Sequence, residues 1–250
     1  IEVAELQVKN TNVEISQYYL SPGDSAFIAR YNSTQPDTGS PWNIRSEKII
    51  LKDNRFVYGE ETKQPGSQSF SQNRTVLDNI SSEFHQAAKL ENEYKVKIKS
   101  LKSIFNEDYR IKHIQGEIKV KHDSAIFRNI VVESGESSVN FNMLATYDSI
   151  AYLQEHPEET WITINLNSNI TSRDLNQLLP FYSVIKRYPA TDLTAILEGS
   201  PKNLRIKTLS VNAGKAMKLD IEGHVKNIHK PASISGGINI RKLFVDKNNL

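Results

Sequence analysis

The feature of this sequence that most constrains its fold is a period of two in hydrophobicity, which recurs along most of the 250 residues. In segment 218–226, Leu219, Ile221 and Val225 alternate with charged and polar residues. Successive side chains of a β-strand point to opposite faces, so each such segment has one apolar and one polar face. Parallel sheets that are buried on both sides show continuous apolar runs instead. The pattern predicts a mainly β protein with an antiparallel sheet.

The same alternation predicts further strands. It is found around Val96 and Ile98, Ile118 and Val120, Val139, Phe141 and Met143, and Ile162, Ile164 and Leu166, and weaker signals place strands at 2–8, 12–20, 25–31, 44–51, 55–59, 193–198, 204–211 and 234–241. In the segment 204–211 the phase slips, because Leu209 joins the face of Leu204 and Ile206 only if an extra residue intervenes. We therefore predict a β-bulge near Thr208.

Two short helices are predicted between strands. Ser172 is typical of a helix N-cap and is followed by leucines at helical spacing. Asp148 is predicted to open a second helix, with Ile150 and Leu153 facing inward and Pro157 ending it. The segments 32–43 and 62–69 are rich in turn-forming and polar residues, and we predict that both are exposed, disordered loops.

Composition limits the classes of protein that the chain can belong to. Lysines and arginines number 31 and acidic residues 29, so the net charge of +2 gives no field that would favour nucleic acid. The absence of cysteine excludes disulfides, cysteine-bound metals and thiol nucleophiles. No linker divides residues 1–250, and the chain begins with Ile1, so we predict one continuous unit excised from a longer protein.

Residue patterns for catalysis are missing. The histidines lack the paired spacing of a helical zinc site, and they are His85, His113, His122, His156, His224 and His229. The carboxylate pairs 60–61 and 158–159 lie in polar surroundings, whereas an acid–base pair needs a cleft that separates its pKa values. The segment 213–216 lacks the glycines of a phosphate loop and reads as a hairpin turn. We therefore expect no enzyme activity, no metal and no cofactor.

A cluster of lysines marks two of the predicted strands. Lysines 95, 97, 99, 119 and 121 form a basic face that could meet phosphate in lipid headgroups or in nucleic acid. A solvated strand face has the same pattern, and the balanced charge of the whole chain favours the solvated interpretation.

Four segments resemble a known family. The clearest is 199–228, with the order strand, Gly214, strand, Gly223, and the others are 49–58, 109–118 and 171–180. Together they resemble the AsmA-like superfamily, and in particular the TamB-like proteins of Bacteroidetes-type bacteria, over 44–240. The resemblance implies a long curled sheet with an open groove, sometimes called a β-taco.

The resemblance also implies a place and a task. TamB-like proteins are periplasmic, are anchored in the inner membrane by a segment that this chain does not contain, and extend towards an outer-membrane β-barrel partner. They are associated with phospholipid movement between the two membranes and with outer-membrane biogenesis.

A one-sided apolar sheet must cover that face with a second layer or a ligand, and acyl chains of phospholipids would serve as such a ligand. Strands of seven to nine residues would span roughly 23–30 Å. The predicted lipid-groove residues are Val96, Ile98, Ile118, Val120, Val139, Phe141, Met143, Ile162, Ile164, Leu166, Leu219, Ile221 and Val225. The sequence leaves open whether they line a groove or form an ordinary closed core.

Two other interpretations fit the alternation. One is a non-enzymatic β module, a solenoid or sandwich that binds carbohydrate or protein at the cell surface, with Trp42, Tyr58 and Trp161 as an outer aromatic platform. The other is a β-helical enzyme acting on polysaccharide, against which the lack of a short repeat argues.

Overall fold

The computed structural model describes residues 2–18, 43–61, 74–106, 109–174 and 190–246, and their thirteen strands form one open sheet. The strands are β1 (Glu2–Lys9), β2 (Asn12–Tyr18), β3 (Ile44–Glu61), β4 (Arg74–Leu90), β5 (Glu93–Phe105), β6 (Tyr109–Lys121), β7 (Ser124–Ser134), β8 (Ser137–Thr146), β9 (Trp161–Ile170), β10 (Thr191–Ser200), β11 (Asn203–Ala213), β12 (Met217–Lys226) and β13 (Ser235–Val245). A short helix, α1 (Ile150–Glu155), and the 3₁₀ turns Pro157–Glu159 and Pro231–Ser233 are also present. The predicted mainly β fold is confirmed.

From β3 to β13 each strand pairs antiparallel with the next one along the chain. The predicted antiparallel sheet is confirmed, and the sequence does not indicate the parallel pairing at one edge, where β1 and β2 both run parallel to β3. Parallel neighbours require a crossover of a dozen or more residues, and 25 residues separate Tyr18 from Ile44. Alternation alone does not reveal this, because a parallel edge strand has the same period of two.

Strands β1 and β2 pair with successive parts of β3 along one edge of the sheet, and Asn54 of β3 hydrogen-bonds to the backbone at the break between them. Its side-chain carbonyl accepts from the Thr11 N–H at 3.0 Å, and its amide donates to the Val8 carbonyl at 3.1 Å. Asn54 is buried, and its side-chain amide joins the two sides of the break, since Thr11 lies in the break and Val8 belongs to the paired part of β1. The buried polar side chain of Asn54 therefore has a structural role at this edge.

Bulges bend the long strands. Four residues in strand interiors have left-handed backbones and lie where the pairing register shifts, namely Asp53, Asn79, Gln86 and Asn129. Neighbouring polar side chains complete the hydrogen bonding there: the Asn129 N–H donates to Asn142 Oδ1 at 2.8 Å, and Ser103 Oγ donates to the Asp78 carbonyl at 3.0 Å. Bulges increase twist and bend the strand that carries them, so the sheet curls.

The predicted bulge near Thr208 is confirmed. Ile206 lies opposite Leu197 and Thr208 lies opposite Ile196, which leaves Lys207 as the extra residue. The separate strands predicted at 44–51 and 55–59 are in fact one strand, β3, because the irregularity at Asp53 does not end the pairing. The described strands β3 to β13 have 10–18 residues, longer than the seven to nine expected.

The helix predicted from Asp148 begins one residue later. Ser149 is the N-cap, and its side chain accepts from the Tyr152 N–H at 3.0 Å. The inward orientation predicted for Ile150 is wrong, since its side chain is 41% exposed. The helix has only six residues and lies at the end of a single-layer sheet, so no core is available to bury this side chain. The strand 25–31, the loop 62–69, nearly all of 32–43 and most of the helix expected after Ser172 lie outside the described residues.

The sheet is a single layer within the part of the chain that the structure describes. Extensive contacts between elements there join only neighbouring strands of the sheet, or α1 and the 3₁₀ turn that follows it. No second described sheet packs against either face, which differs from the two facing sheets of a sandwich and from the closed coil of a solenoid.

Candidate functional site

The register of strands β5 to β12 brings apolar residues together in four continuous rows on one face, which we call the inner face. Residues opposite each other in a ladder share a face and have Cβ atoms about 4.5–5.5 Å apart. The rows are Tyr94–Val120–Ala125–Ala145–Ile162–Gly199–Leu204–Val225, Val96–Ile118–Phe127–Met143–Ile164–Leu197–Ile206–Gly223, Ile98–Gly116–Ile130–Phe141–Leu166–Ala195–Leu209–Ile221 and Leu101–Ile114–Val132–Val139–Ser168–Leu193–Val211–Leu219.

All thirteen predicted groove residues lie in these rows, with none on the opposite face. Ile98 is buried, at 8% exposure, and the other twelve are half-buried. A closed core would bury most of them, and an unshielded flat surface would expose them. Their partial burial comes from neighbouring side chains in a single layer, so the inner face is apolar and reachable from one side. Whether lipid occupies it stays a prediction.

Part of the inner face is a concave pocket. Its volume is 360 Å³, and its lining is mainly apolar and comes from four neighbouring strands: Ile44, Ser46 and Ile49 of β3, Ala87, Ala88 and Lys89 of β4, Tyr94, Lys95 and Val96 of β5, and Ile118 and Val120 of β6. The pocket is an open depression that spans these four strands. Three of the predicted groove residues, Val96, Ile118 and Val120, lie in this wall.

Glycines let strands approach closely where the inner face bends. Gly223 has a φ of 154°, and a Cβ added to it would lie 2.2 Å from the Gly237 carbonyl oxygen. Gly116 has a φ of 141°, and its added Cβ would lie 2.5 Å from Ile130 Cδ1. Both sit in the apolar rows, so the curl and the groove depend on the same residues.

The opposite face, which we call the outer face, is mainly polar, and several of its side chains pair with one another. Asn169 donates to Asp192 at 2.7 Å, and Thr194 donates to Asn167 at 3.0 Å. Of the predicted basic face, Lys97 pairs with Glu117 at 3.6 Å and Lys119 with Glu93 at 2.8 Å. The Lys119 hydrogen bond lowers the pKa of Glu93. Carboxylates are thus interleaved with these lysines, which disfavours a purely basic surface.

The other candidate groups do not converge. His113 hydrogen-bonds Gln115 along β6, whereas His122 lies beyond the far end of the same strand, beside Asp123. Glu158 and Glu159 both pair with Lys202, and hydrogen bonding to Lys202 lowers the pKa of Glu159. Among the described residues, no three histidine or acidic side chains are grouped as metal ligands. The segment 213–216 is the turn between β11 and β12, as predicted.

Two of the three residues of the predicted aromatic platform lie far apart in the described sheet. Tyr58 is on β3 and Trp161 on β9, with five strands between them in the sheet. At about 4.8 Å per strand their backbones are roughly 29 Å apart along the sheet. Trp42 lies outside the described residues.

Comparison of the chain with family models, with curated proteins and with solved structures finds no match. The resemblance to TamB-like proteins therefore stays a prediction, as does the place of residues 1–250 within a longer protein. In the described ranges, no helix has the length and apolar character needed to span a bilayer.

Proposed function

We propose that this chain is a lipid-binding groove segment of a cell-envelope transport protein. Its inner face would hold acyl chains of phospholipids that move between the inner and outer membranes, and the chain would perform no chemistry on them. One observation carries the proposal: four rows with Ser168 as their one polar member run across eight strands, and the described chain provides no second layer to cover them.

The dimensions suit an acyl chain. Eight strands about 4.8 Å apart give a trough roughly 34 Å long, and four rows spaced by two residues give a width of about 20 Å. The hydrocarbon core of a bilayer is about 30 Å thick, so one phospholipid tail extends about 15 Å. The trough can hold two tails end to end. Apolar contact has no directional requirement, so selectivity among acyl chains would be low.

The polar outer face supports an aqueous setting for the sheet, with the lipid shielded inside. The periplasm as location, an inner-membrane anchor outside this chain and an outer-membrane β-barrel partner are proposed from the resemblance alone. They define where transport would occur, whereas the apolar rows define what would be carried.

Adjacent residues on opposite faces allow a matched test. Ile164 lies in an apolar row, and Thr163 is its exposed outer-face neighbour. After incubation with phosphatidylethanolamine vesicles and repurification, lipid retained per protein is measured by mass spectrometry. We expect Ile164→Lys to lose most of the lipid and Thr163→Lys to retain the wild-type amount, because a buried ammonium opposes acyl contact.

The unfolding midpoint of each variant shows whether lost lipid retention comes from the changed inner face or from unfolding of the protein. If Ile164→Lys unfolds, the milder Ile164→Thr is used, with about tenfold weaker retention expected. Wild-type protein that retains no lipid, or equal retention by the folded inner-face and outer-face variants, would contradict the proposal.

A further inference from the structure

A second cleft lies on the outer face at one rim of the sheet. The described hairpins β4–β5, β6–β7, β7–β8 and β10–β11 turn through two residues each, β11–β12 through three and β12–β13 through eight, whereas fourteen residues, 147–160, connect β8 to β9. This connection contains α1 and a 3₁₀ turn. Within a sheet of tight hairpins, an ordered insertion of this length is where a binding function is to be expected.

The insertion and the strand ends enclose a volume of 560 Å³. Ser124, Thr146 and Trp161 form one row of the outer face on β7, β8 and β9, since Thr146 pairs with both of the others. Trp161 is 50% exposed, and Leu144 beside it is also exposed. An indole ring at the edge of a concave site offers a flat apolar surface next to water.

Polar groups surround that ring. Asp123, Asp148 and Glu159 line the cleft as hydrogen-bond acceptors, and Ser124 and Thr146 add hydroxyls. Tyr152 donates to Glu159 and so holds the insertion closed on itself. Thr160 also lines the cleft; it is only 7% exposed, and its hydroxyl has no hydrogen-bond partner within the described residues. That oxygen is buried beneath the lining, so the groups that a ligand can reach are the carboxylates and the hydroxyls of Ser124 and Thr146.

We propose that this cleft binds a neutral saccharide unit. A pyranose has an apolar C–H face that can stack on Trp161 and equatorial hydroxyls that can donate to Asp123 and Asp148. Carboxylates around the site disfavour phosphate and other anions, and the mixed polar lining disfavours an acyl chain. The site is on the face opposite the apolar rows and does not depend on the proposed lipid groove.

Fluorescence of Trp161 provides the test. The chain has two tryptophans, so the Trp42→Phe variant leaves Trp161 as the sole indole. This protein is titrated with cellotriose, maltotriose and chitotriose. We expect at least one of them to shift the emission, with calorimetry giving the same affinity. In calorimetry, Trp161→Ala should weaken binding by at least about tenfold and Asp148→Asn by about threefold. Tyr58→Ala, which removes an exposed aromatic on a distant strand, should leave binding unchanged.

A sugar of this kind could be free or the headgroup of a glycolipid. Phosphatidylcholine vesicles with and without a monoglucosyl diacylglycerol distinguish these sources: binding only to the glucosylated vesicles assigns a headgroup, and binding to the trisaccharides assigns a free glycan. Failure of every trisaccharide at millimolar concentration and of the glucosylated vesicles would overturn the proposal. Binding that Trp161→Ala does not weaken would overturn it as well. Neither result bears on the acyl-chain groove.

Discussion

The two faces of this sheet are made by the same strands but differ in how their side chains are satisfied. On the outer face, polar side chains pair with side chains of the next strand: Asn169 hydrogen-bonds to Asp192, and Lys119 forms an ion pair with Glu93. On the inner face, apolar rows have only their lateral neighbours, and at the β13 edge Ile240 is 55% exposed. Many polar groups of the outer face are paired within the described chain, whereas the inner face calls for a further apolar layer or ligand.

The largest effect should come from a glycine of the inner face. Gly223→Val places a branched side chain at a φ of 154°, with its Cβ against the Gly237 carbonyl, and should lower the free energy of unfolding by about 3 kcal/mol or more. Urea denaturation measures it. Gly214→Ala is the control, since its φ is 60° but nothing lies within 4 Å of the added Cβ, and it should lose only about 1–2 kcal/mol. Equal losses would show that the close approach at Gly223 is unimportant.

Neighbouring residues on β5 sharpen the contrast between the faces. Ile98→Ala removes a buried inner-face side chain and should destabilise the sheet by about 2–3 kcal/mol. Lys97→Ala removes one partner of an exposed ion pair and should change stability by about 0.5 kcal/mol or less. Chemical denaturation of both variants gives the comparison, and an equal cost for the two would mean that the inner face contributes no more to stability than the outer one.

Asn54, a buried polar residue of β3, tests how much a polar side chain among the apolar ones contributes to stability. Asn54→Ala should cost about 1–3 kcal/mol, because it leaves the Thr11 N–H and the Val8 carbonyl without their partner. Hydrogen exchange should show faster exchange confined first to β1 and β2. Unchanged exchange in those strands would indicate that the edge is held by ladder hydrogen bonds alone.

The smallest effect is the pH dependence of outer-face pairs. The hydrogen bond from Lys207 lowers the pKa of Glu198 below its ordinary 4.5. A carboxylate with a lowered folded-state pKa stabilises the fold above pH 4.5, and that contribution is lost as the pH falls through the lowered value. Lys207→Met should therefore lower the melting temperature slightly at pH 7, and its difference from the wild type should shrink as the pH falls below 4.5. A larger difference at acid pH would have the wrong sign.

How far the sequence predicts the structure depends on where the period of two holds. Uninterrupted alternation places Leu219, Ile221 and Val225 correctly on one face. Bulges hide other inner-face residues, because an extra residue reverses the phase: Phe127 and Ile130 are three apart, yet both face inward. The phase slip between Ile206 and Leu209 is a visible sequence signal for a bulge. Asn129 is a weaker signal for a bulge in β7, because asparagine tolerates a left-handed backbone.

Other features depend on contacts that no local pattern specifies. The parallel pairing of β1 and β2 with β3 follows a long connection, and the cleft at Trp161 depends on how residues 147–160 fold back onto the ends of β8 and β9 and the start of β7. Sequence periodicity reports which side chains share a face of one strand. It does not report which strands become neighbours or what fills the space over a face.

The most direct test of the central claim uses the absence of cysteine from the chain. Single variants Ile164→Cys and Thr163→Cys carry a fluorophore on the inner and outer face of the same strand, and each is mixed with phosphatidylcholine bearing a nitroxide on its acyl chain. We expect strong quenching at residue 164 and little at residue 163. Equal quenching at the two positions, or none at residue 164 in folded protein, would contradict an inner face that holds acyl chains.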